Sequence, residues 1–215
     1  MKLIFVGDPM CSWCYGFGKE MTALAKLHPE LPLEIVVGGL RAGATDVLDE
    51  AGKNFRLVHW ARVEEASGLP FNRDGLMARQ NFVYDTEPIC RAVVAARVIT
   101  PDADLLAVFR ALQHGFYVEA VDTTDGRILA RLASNALIKQ GCAVDVSAFY
   151  KVWEADSTIA LAKKDFARSR SLGVRSFPVL LLEMDGEIRT ISPGYAHVEE
   201  LERNLQLVLQ ALHIS

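Results

Sequence analysis

The first forty residues alternate between short apolar runs and one segment of helical periodicity. Lys2 to Val6 is an apolar run that predicts a strand. From about Cys14 to Leu27, apolar residues recur at helical spacing, and Pro29 then ends the pattern because proline lacks an amide donor. Leu33 to Val37 is a second strand candidate, ended by Gly38-Gly39. A strand, a helix and a strand joined by short links predict a βαβ unit with parallel strands.

The pattern becomes mostly helical from about Arg41 to Asp156. Glycines at 68 and 141 act as C-terminal stops for two of the predicted helices. Another helix begins at a cap, Asp85 or Thr86, with Pro88 in its first turn. No internal repeat and no low-complexity linker interrupts this block. The segments with amphipathic helical spacing are 54–68, 85–101, 102–120, 125–141 and 145–156.

The last sixty residues return to a mixed pattern. Segment 157–173 predicts a helix ended by Gly173, with Lys163-Lys164-Asp165 on its exposed face. Two apolar runs, Val179 to Glu183 and Ile188 to Ile191, flank the tight-turn pair Asp185-Gly186 and predict a hairpin. Segment 196–214 predicts a closing amphipathic helix. This order predicts an α/β core, residues 1–40 and 156–215, interrupted by a helical insertion, residues 41–155.

Composition narrows the class of protein. About half of the 215 residues are apolar, which is enough to bury a sizeable core. The net charge of −4, with both signs mixed along the chain, argues against nucleic acid as a partner. No apolar run approaches the roughly 20 residues of a membrane span. The apolar stretch at the N-terminus is shorter than a secretory core segment, so we expect a cytoplasmic protein with no membrane partner.

Two of the four cysteines form a Cys-X-X-Cys pair, Cys11 and Cys14, in front of the first predicted helix. Unpaired amides and the dipole at a helix start stabilise a thiolate over a thiol. Cys14 lies one turn further on, where it can attack a mixed disulfide on Cys11. We therefore predict Cys11 as the nucleophile and Cys14 as the resolving thiol. Between them, Ser12 offers a hydroxyl to a sulfur, and Trp13 offers apolar area for docking a peptide substrate.

The surroundings of the pair predict its redox character. Neither Ser12 nor Trp13 carries a positive charge, so the Cys11 thiolate is expected to depend on helix-end amides alone. Asp8 lies close by in sequence, where its charge could oppose the thiolate by like-charge repulsion. We favour a role for Asp8 as a cap of the first helix or its turn over that of a catalytic base. These features predict that the Cys11–Cys14 pair has a reduction potential of about −200 to −270 mV, toward the reducing end of the range for such dithiol pairs.

Several residues have a simpler structural interpretation. A zinc site needs four ligands, and the other cysteines and the five histidines are scattered without a second paired spacing, so we predict no metal. Cys90 is expected to be a small buried hydrophobe and Cys142 a loop thiol, although a bridge between them stays open. Arg41 is expected to be a solvated loop residue rather than a carboxylate binder. The aromatic residues at helical spacing are expected in the core: Trp60, Phe109, Phe116, Tyr117 and Trp153.

Four motifs together resemble one group of thioredoxin-fold proteins. They are "DPMCSWCYGF", "GGLR", "DTEPICRAVVAAR" and "GVRSFPVLLLE". The chain is similar along its length to the DsbA-like family, in particular to FrnE-like thiol–disulfide oxidoreductases. The resemblance implies a thioredoxin-like α/β fold with a helical insertion, and dithiol–disulfide exchange, including isomerase-type activity, on protein or small thiol substrates. It also implies that Pro178 is a cis-proline and that the backbone of Phe177 pairs with the substrate.

The resemblance leaves one alternative open. Periplasmic members often carry a histidine between the cysteines, which is absent here, so the role of periplasmic oxidant is not expected. The same branch includes kappa-class glutathione transferases and 2-hydroxychromene-2-carboxylate isomerases. These enzymes bind glutathione beside a hydroxyl, usually of serine, near the position of Cys11. The cysteine argues against this glutathione-dependent activity, while glutathione itself remains a candidate co-substrate. A chaperone-like binding module is a third hypothesis.

Overall fold

The protein is described here from a computed structural model, over residues 1–213. The described residues form four strands and nine helices, most of the helices lying between the second and third strands. The elements in chain order are β1 (Lys2–Gly7), α1 (Ser12–Leu27), β2 (Leu33–Val37), α2 (Glu50–Ser67), α3 (Arg73–Met77), α4 (Glu87–Ile99), α5 (Leu105–Tyr117), α6 (Gly126–Ile138), α7 (Val146–Glu154), α8 (Asp156–Ser171), β3 (Val179–Met184), β4 (Glu187–Ser192) and α9 (Val198–His213).

The four strands form one mixed sheet in the order β2-β1-β3-β4. The predicted βαβ unit is confirmed, because β1 pairs in parallel with β2, with Phe5 opposite Ile35. The predicted hairpin is also confirmed: β3 pairs antiparallel with β4, and both residues of the connecting turn, Asp185 and Gly186, have positive φ. The central strand β1 therefore has a neighbour on each side, and its C-terminal end leads directly into the loop that carries Cys11.

Each face of the sheet buries its own apolar cluster, because side chains alternate along a strand. Leu3 and Phe5 of β1 belong to the larger cluster, which continues through α1, α9 and the helical block. Ile4 and Val6 point to the other face, where a smaller cluster includes Val174 and Val179. The first strand is therefore buried on both faces and gives the loop after it a rigid base.

Most predicted helix ends agree with the structure to within a few residues. Gly68 ends α2 in the left-handed conformation with φ of 70°, as its stop signal predicts. Thr86 is the N-cap of α4, which has proline in its first turn. The short helix α3 was not predicted, because five residues are too few for helical periodicity to stand out. Ile214, the last residue of the predicted closing helix, lies outside the described residues.

The prediction for the Lys163-Lys164-Asp165 run is wrong at its third residue. Both lysines are exposed, but the Asp165 side chain is only 10% exposed and forms an ion pair with Arg97 of α4. Its Oδ2 atom accepts from the Val37 amide at 3.2 Å and from the Arg97 guanidinium at 3.1 Å. The same guanidinium donates to the Ile35 carbonyl at 3.1 Å. Asp165 and Arg97 therefore join α8, α4 and the outer strand β2.

No helix among the described residues is long and apolar enough to cross a membrane.

Candidate functional site

The loop after β1 places Cys11 at the first position of α1. Cys11 is the N-cap residue, with extended backbone (φ −83°, ψ 118°), and its side chain makes no capping hydrogen bond. Its amide donates to the Asp8 carbonyl at 3.0 Å, and its carbonyl accepts from Tyr15 at 3.0 Å. The amides of Ser12, Trp13 and Cys14 donate to no acceptor within the described chain. The predicted helix-start environment of the Cys11 sulfur is therefore present.

A second segment meets Cys11 from the far end of the chain. The Cys11 thiol lies 3.6 Å from the carbonyl oxygen of Phe177 and donates to it. The Phe177-Pro178 peptide bond is cis. The Phe177 ring packs against Gly38 so closely that a Cβ at Gly38 would lie 2.0 Å from the ring's Cζ. The amide of Phe177, by contrast, donates to no acceptor among the residues described, so it is free to pair with another chain.

Cys14 lies beneath Cys11 with no exposed surface, whereas Cys11 is 8% exposed. Both cysteines are free thiols in this structure. Burial raises the pKa of the Cys14 thiol well above its usual value, and the hydrogen bond to Cys11 and the negative charge of Cys11 raise it further. The hydrogen bond from the Asp8 amide acts in the opposite direction. The two sulfurs therefore differ in access, and Cys11 is the one that a substrate can reach.

Asp8 is fully buried and holds two loops together. Its Oδ1 atom accepts from the Met10 amide at 2.8 Å, and Oδ2 accepts from the Leu40 amide at 2.6 Å and from the Cys90 thiol at 3.5 Å. Burial raises the pKa of the Asp8 carboxyl, although the hydrogen bonds from Thr86, Leu40, Met10 and Cys90 partly offset this rise. The favoured role of Asp8 as a cap of the turn before α1 is therefore confirmed, with a tie to the loop after β2 in addition.

Beside Cys11 lies a cavity of about 340 Å³, which we call the cationic pocket. Cys11, Ser12 and Trp13 line one side, and α2 contributes Arg56 and His59. The remaining lining residues are Met10, Leu40, Arg41, Phe55, Trp60 and Tyr84, so no carboxylate lines it. Two arginine side chains share this cavity with Cys11, and the dependence of the Cys11 thiolate on helix-end amides alone stays a prediction.

The basic side chains of the pocket, Arg41, Arg56 and His59, differ in their partners. Arg41 lies in the loop after β2, as predicted, and its Nη2 atom donates to both carboxylate oxygens of Asp46, at 2.7 and 2.8 Å, in an exposed pair. Arg56 donates to the Gly52 carbonyl at 2.9 Å and stacks 4.1 Å from the centroid of the Tyr84 ring. No acidic side chain in the described structure pairs with Arg56 or His59. The sequence contained no signal that Arg56 and His59 line this pocket, because both residues fall within an ordinary amphipathic pattern.

A shallow groove lies on the opposite side of Trp13, and we call it the proline groove. It is lined by Trp13, Phe177, Pro178, Gly194 and Tyr195, none of which is charged. The ring centroids of Trp13 and Tyr195 are 5.5 Å apart. The structure thus brings together all six predicted site residues: Cys11, Cys14, Ser12, Trp13, Phe177 and Pro178.

The other candidate residues have structural roles. Cys90 is fully buried and Cys142 lies partly exposed in the loop after α6, both as predicted. Both are free thiols, so no bridge joins them here. No cluster of three or more histidine, cysteine or acidic side chains in the described structure could hold a metal ion. The five aromatic residues that the sequence placed in the core are all buried.

Several solved structures are similar to this chain along its whole length. A Nitrosomonas europaea protein, provisionally assigned as a protein disulfide isomerase, is 30% identical, with a TM-score of 0.86 over 98% of this chain and 99% of that chain. Cytosolic disulfide reductase DsbM from Pseudomonas aeruginosa is 25% identical, with a TM-score of 0.78 over 100% of both chains. A further DsbM structure, with GSH, is 24% identical and covers 98% of this chain and 100% of that chain, with a TM-score of 0.77.

A 2-hydroxychromene-2-carboxylate isomerase also shares the fold. It is 16% identical, covers 100% of both chains and has a TM-score of 0.65, which shows the fold alone. No protein-family model matches this chain, and no curated protein matches it significantly. The solved structures confirm the predicted fold class, a thioredoxin-like α/β core with a helical insertion.

Proposed function

We propose that this chain, which belongs to the DsbA-like family of thioredoxin-fold proteins, is a thiol–disulfide oxidoreductase. The observation that carries this proposal is the position of Cys11. Its sulfur lies at an uncapped helix start and contacts the Phe177 carbonyl, two arginines line the same cavity, and Cys14 is buried directly beneath it. In this arrangement one thiol attacks and the other resolves.

In the first step, the Cys11 thiolate attacks one sulfur of a substrate disulfide. The S–S bond of the substrate breaks, a new bond joins Cys11 to the attacked sulfur, and the other sulfur leaves as a thiolate that is then protonated. The free amides at the start of α1 favour the anionic nucleophile because their partial positive charges point at it. The substrate polypeptide pairs with the free amide of Phe177 and packs over Trp13 in the proline groove.

The second step follows from the electrostatics of Cys14. In the free enzyme, the hydrogen bond to Cys11 and the negative charge of Cys11 help to raise the pKa of the Cys14 thiol. Both effects end when Cys11 enters a mixed disulfide, because its sulfur no longer carries a charge. Cys14 then loses its proton more easily and attacks the Cys11 sulfur, which releases the reduced substrate and leaves a Cys11–Cys14 disulfide. The order of the two steps is therefore built into the pair.

The proposal includes a direction and a cellular setting. We propose that the enzyme acts as a cytoplasmic reductase or isomerase, with glutathione as a co-substrate that returns the Cys11–Cys14 disulfide to the dithiol. Two observations support this: the similarity to a cytosolic disulfide reductase, and the cations beside Cys11, which suit a thiol that carries carboxylates. Two glutathione molecules supply the two electrons and leave as glutathione disulfide.

The test is insulin reduction by the wild-type protein and by the Cys14→Ser and Cys11→Ser variants, with glutathione as the electron source. We expect both variants to lose about 100-fold or more in rate, since either serine removes a group that forms a covalent bond. Cys142→Ser is the matched control because Cys142 lies in the loop after α6, outside the site, and it should keep the wild-type rate. Wild-type protein that reduces insulin no faster than glutathione alone would contradict the proposal.

The same variants separate this function from the glutathione-dependent isomerase or transferase that the sequence left open. An enzyme of that kind needs one group beside glutathione, so it would keep its activity in Cys14→Ser. An oxidoreductase that uses both thiols should instead accumulate a mixed disulfide on Cys11, which intact-mass measurement detects. The buried position of Cys14 directly under Cys11 favours the second outcome.

A further inference from the structure

We infer that the preferred substrate is a mixed disulfide between a polypeptide and a small thiol that carries carboxylates, with the small thiol in the cationic pocket. The inference rests on the proposed function and concerns the substrate class of the same site. Cys11 lines one of two recesses of opposite character and contacts Phe177, which lines the other. One recess contains cations and no carboxylate, and the other contains no charged side chain.

The charge of the cationic pocket favours a carboxylate as its ligand. Arg41 is already paired with Asp46, so Arg56 is the arginine of the pocket with no acidic partner in the described structure. The Arg56 guanidinium uses one donor on the Gly52 carbonyl and holds its plane against Tyr84. Its remaining donors are free to bind a carboxylate, which a guanidinium does strongly through paired hydrogen bonds. The whole chain carries a net charge of −4, so a cavity lined by two arginines and no carboxylate is a local feature.

The size of the cationic pocket and its position beside Cys11 suit a small thiol. A cavity of about 340 Å³ falls at the lower end of small-molecule sites, which span about 300–1,000 Å³. This volume suits a thiol the size of a short peptide better than a folded protein loop. Cys11 lines the same cavity, so a thiol whose carboxylates bind Arg56 shares that cavity with the Cys11 sulfur. The apolar walls, such as Trp60 and Leu40, suit the uncharged middle of such a molecule.

The proline groove suits the polypeptide half of the substrate. The proline groove carries the free amide of Phe177 and the two aromatic rings of Trp13 and Tyr195. An extended peptide can pair with that amide and cover those rings, and the groove offers no charge to hold a small anion. Trp13 lines both recesses, so a disulfide that crosses it has one half in each.

This placement determines which sulfur is attacked. The Cys11 thiolate attacks the sulfur of the small thiol, the substrate S–S bond breaks, and the polypeptide leaves as a thiolate that takes a proton. Cys14 then displaces the small thiol from Cys11 and the Cys11–Cys14 disulfide forms. The substrate gains two electrons and the enzyme loses two, and glutathione as the thiol reductant restores the dithiol.

The test compares three mixed disulfides of one fluorescent peptide, made with glutathione, with glutathione dimethyl ester and with cysteamine. The ester keeps the shape of glutathione but removes both carboxylates. We expect wild-type kcat/KM to be about tenfold or more higher for the glutathione adduct than for the other two. In Arg56→Gln, the ratio between the glutathione adduct and its ester should fall toward one. Arg62→Gln, an exposed arginine on the same helix outside the pocket, is the matched control and should keep the wild-type ratio.

The comparisons separate the substrate class, the role of Arg56 and the assignment of the two recesses. Equal rates for the glutathione adduct and its ester in the wild type would overturn the inference, and this comparison needs no variant. An unchanged ratio in Arg56→Gln would overturn the role of Arg56. With Cys14→Ser, intact mass should detect a glutathionyl group on Cys11; the peptide on Cys11 would overturn the assignment of the two recesses. Failure of the wild type on all three adducts and on insulin would overturn the proposed function instead.

Discussion

At the scale of single residues, the most unusual group near the site is the buried carboxyl of Asp8. It accepts from two backbone amides and lies against the Cys90 thiol, so it cannot turn away from the cysteines. Its negative charge is among the influences that raise the pKa of the Cys14 thiol. An ionised Asp8 therefore disfavours the anionic form of the reduced pair, which makes the disulfide less readily reduced.

We expect Asp8→Asn to make the Cys11–Cys14 disulfide more oxidising. Removing the charge stabilises the reduced, anionic pair, and a tenfold change in its equilibrium with glutathione corresponds to about 30 mV. Because the pKa of Asp8 is raised, this difference should grow as pH rises and Asp8 ionises, and it should vanish at acidic pH where Asp8 is protonated. A glutathione redox titration at several pH values measures it.

The control for this substitution is Asp85→Asn. Asp85 also caps a turn in the loops around the site, where it accepts from the amides of Gly43 and Glu87 at 2.8 and 2.9 Å, but it does not contact a cysteine. In Asp85→Asn, the reduction potential of the Cys11–Cys14 pair should stay at the wild-type value. A potential that is unchanged or more negative in Asp8→Asn would show that the Asp8 charge does not act on the pair. The predicted wild-type range of about −200 to −270 mV is tested by the same titration.

At the scale of elements, the site depends on how β2 is held, because Gly38 at its end supports the Phe177 ring. An outer strand exposes unpaired backbone groups on one side. In β2, the Val37 amide and the Ile35 carbonyl are covered by Asp165 and Arg97 rather than left open. The two side chains therefore act as a substitute for a fifth strand and connect the sheet to α4 and α8.

We expect Arg97→Met to destabilise the protein by about 1–3 kcal/mol, because it leaves the Asp165 carboxylate buried without its cation. Arg97 and Asp165 are 29% and 10% exposed, which limits screening by solvent. Arg189→Met is the matched control: it breaks a pair whose members are 55% and 62% exposed, and it should cost less than about 0.5 kcal/mol. Urea unfolding of both variants measures the difference, and equal costs would contradict this role of Arg97.

The same elements show what the sequence could and could not predict. The helical and strand periodicities of α1, β1 and the hairpin are local, so their positions could be predicted closely. Cys11, Cys14, Phe177 and Pro178 were identifiable because they belong to short motifs. Asp165 looked exposed because its partner Arg97 is distant in sequence, and no local pattern reports such a pair. Arg56 was missed for the same reason, since its nearness to Cys11 is a product of tertiary packing.

At the scale of the whole molecule, the core and the insertion share one continuous apolar interior. The larger buried cluster contains residues from 1–40, from 41–155 and from 156–215. Phe5 of β1 packs edge-to-face on Phe109 of α5, with ring centroids 5.3 Å apart, and this contact joins the central strand to the insertion. Neither part can lose its partner without exposing this interior to water, so we propose that the two parts form one cooperative unit.

This proposal predicts one unfolding transition for both parts. Trp13 reports on the core, and Trp153, which donates to the Pro88 carbonyl at 3.0 Å, reports on the insertion. Two single-tryptophan variants, each with phenylalanine at the other two tryptophan positions, should give fluorescence midpoints in urea that coincide with the far-UV circular dichroism of the same variant. An insertion that folds alone would instead keep Trp153 native after Trp13 has lost its environment. Coincident transitions would mean that the cationic pocket, which both parts line, and the proline groove, which the core lines, form and disappear together.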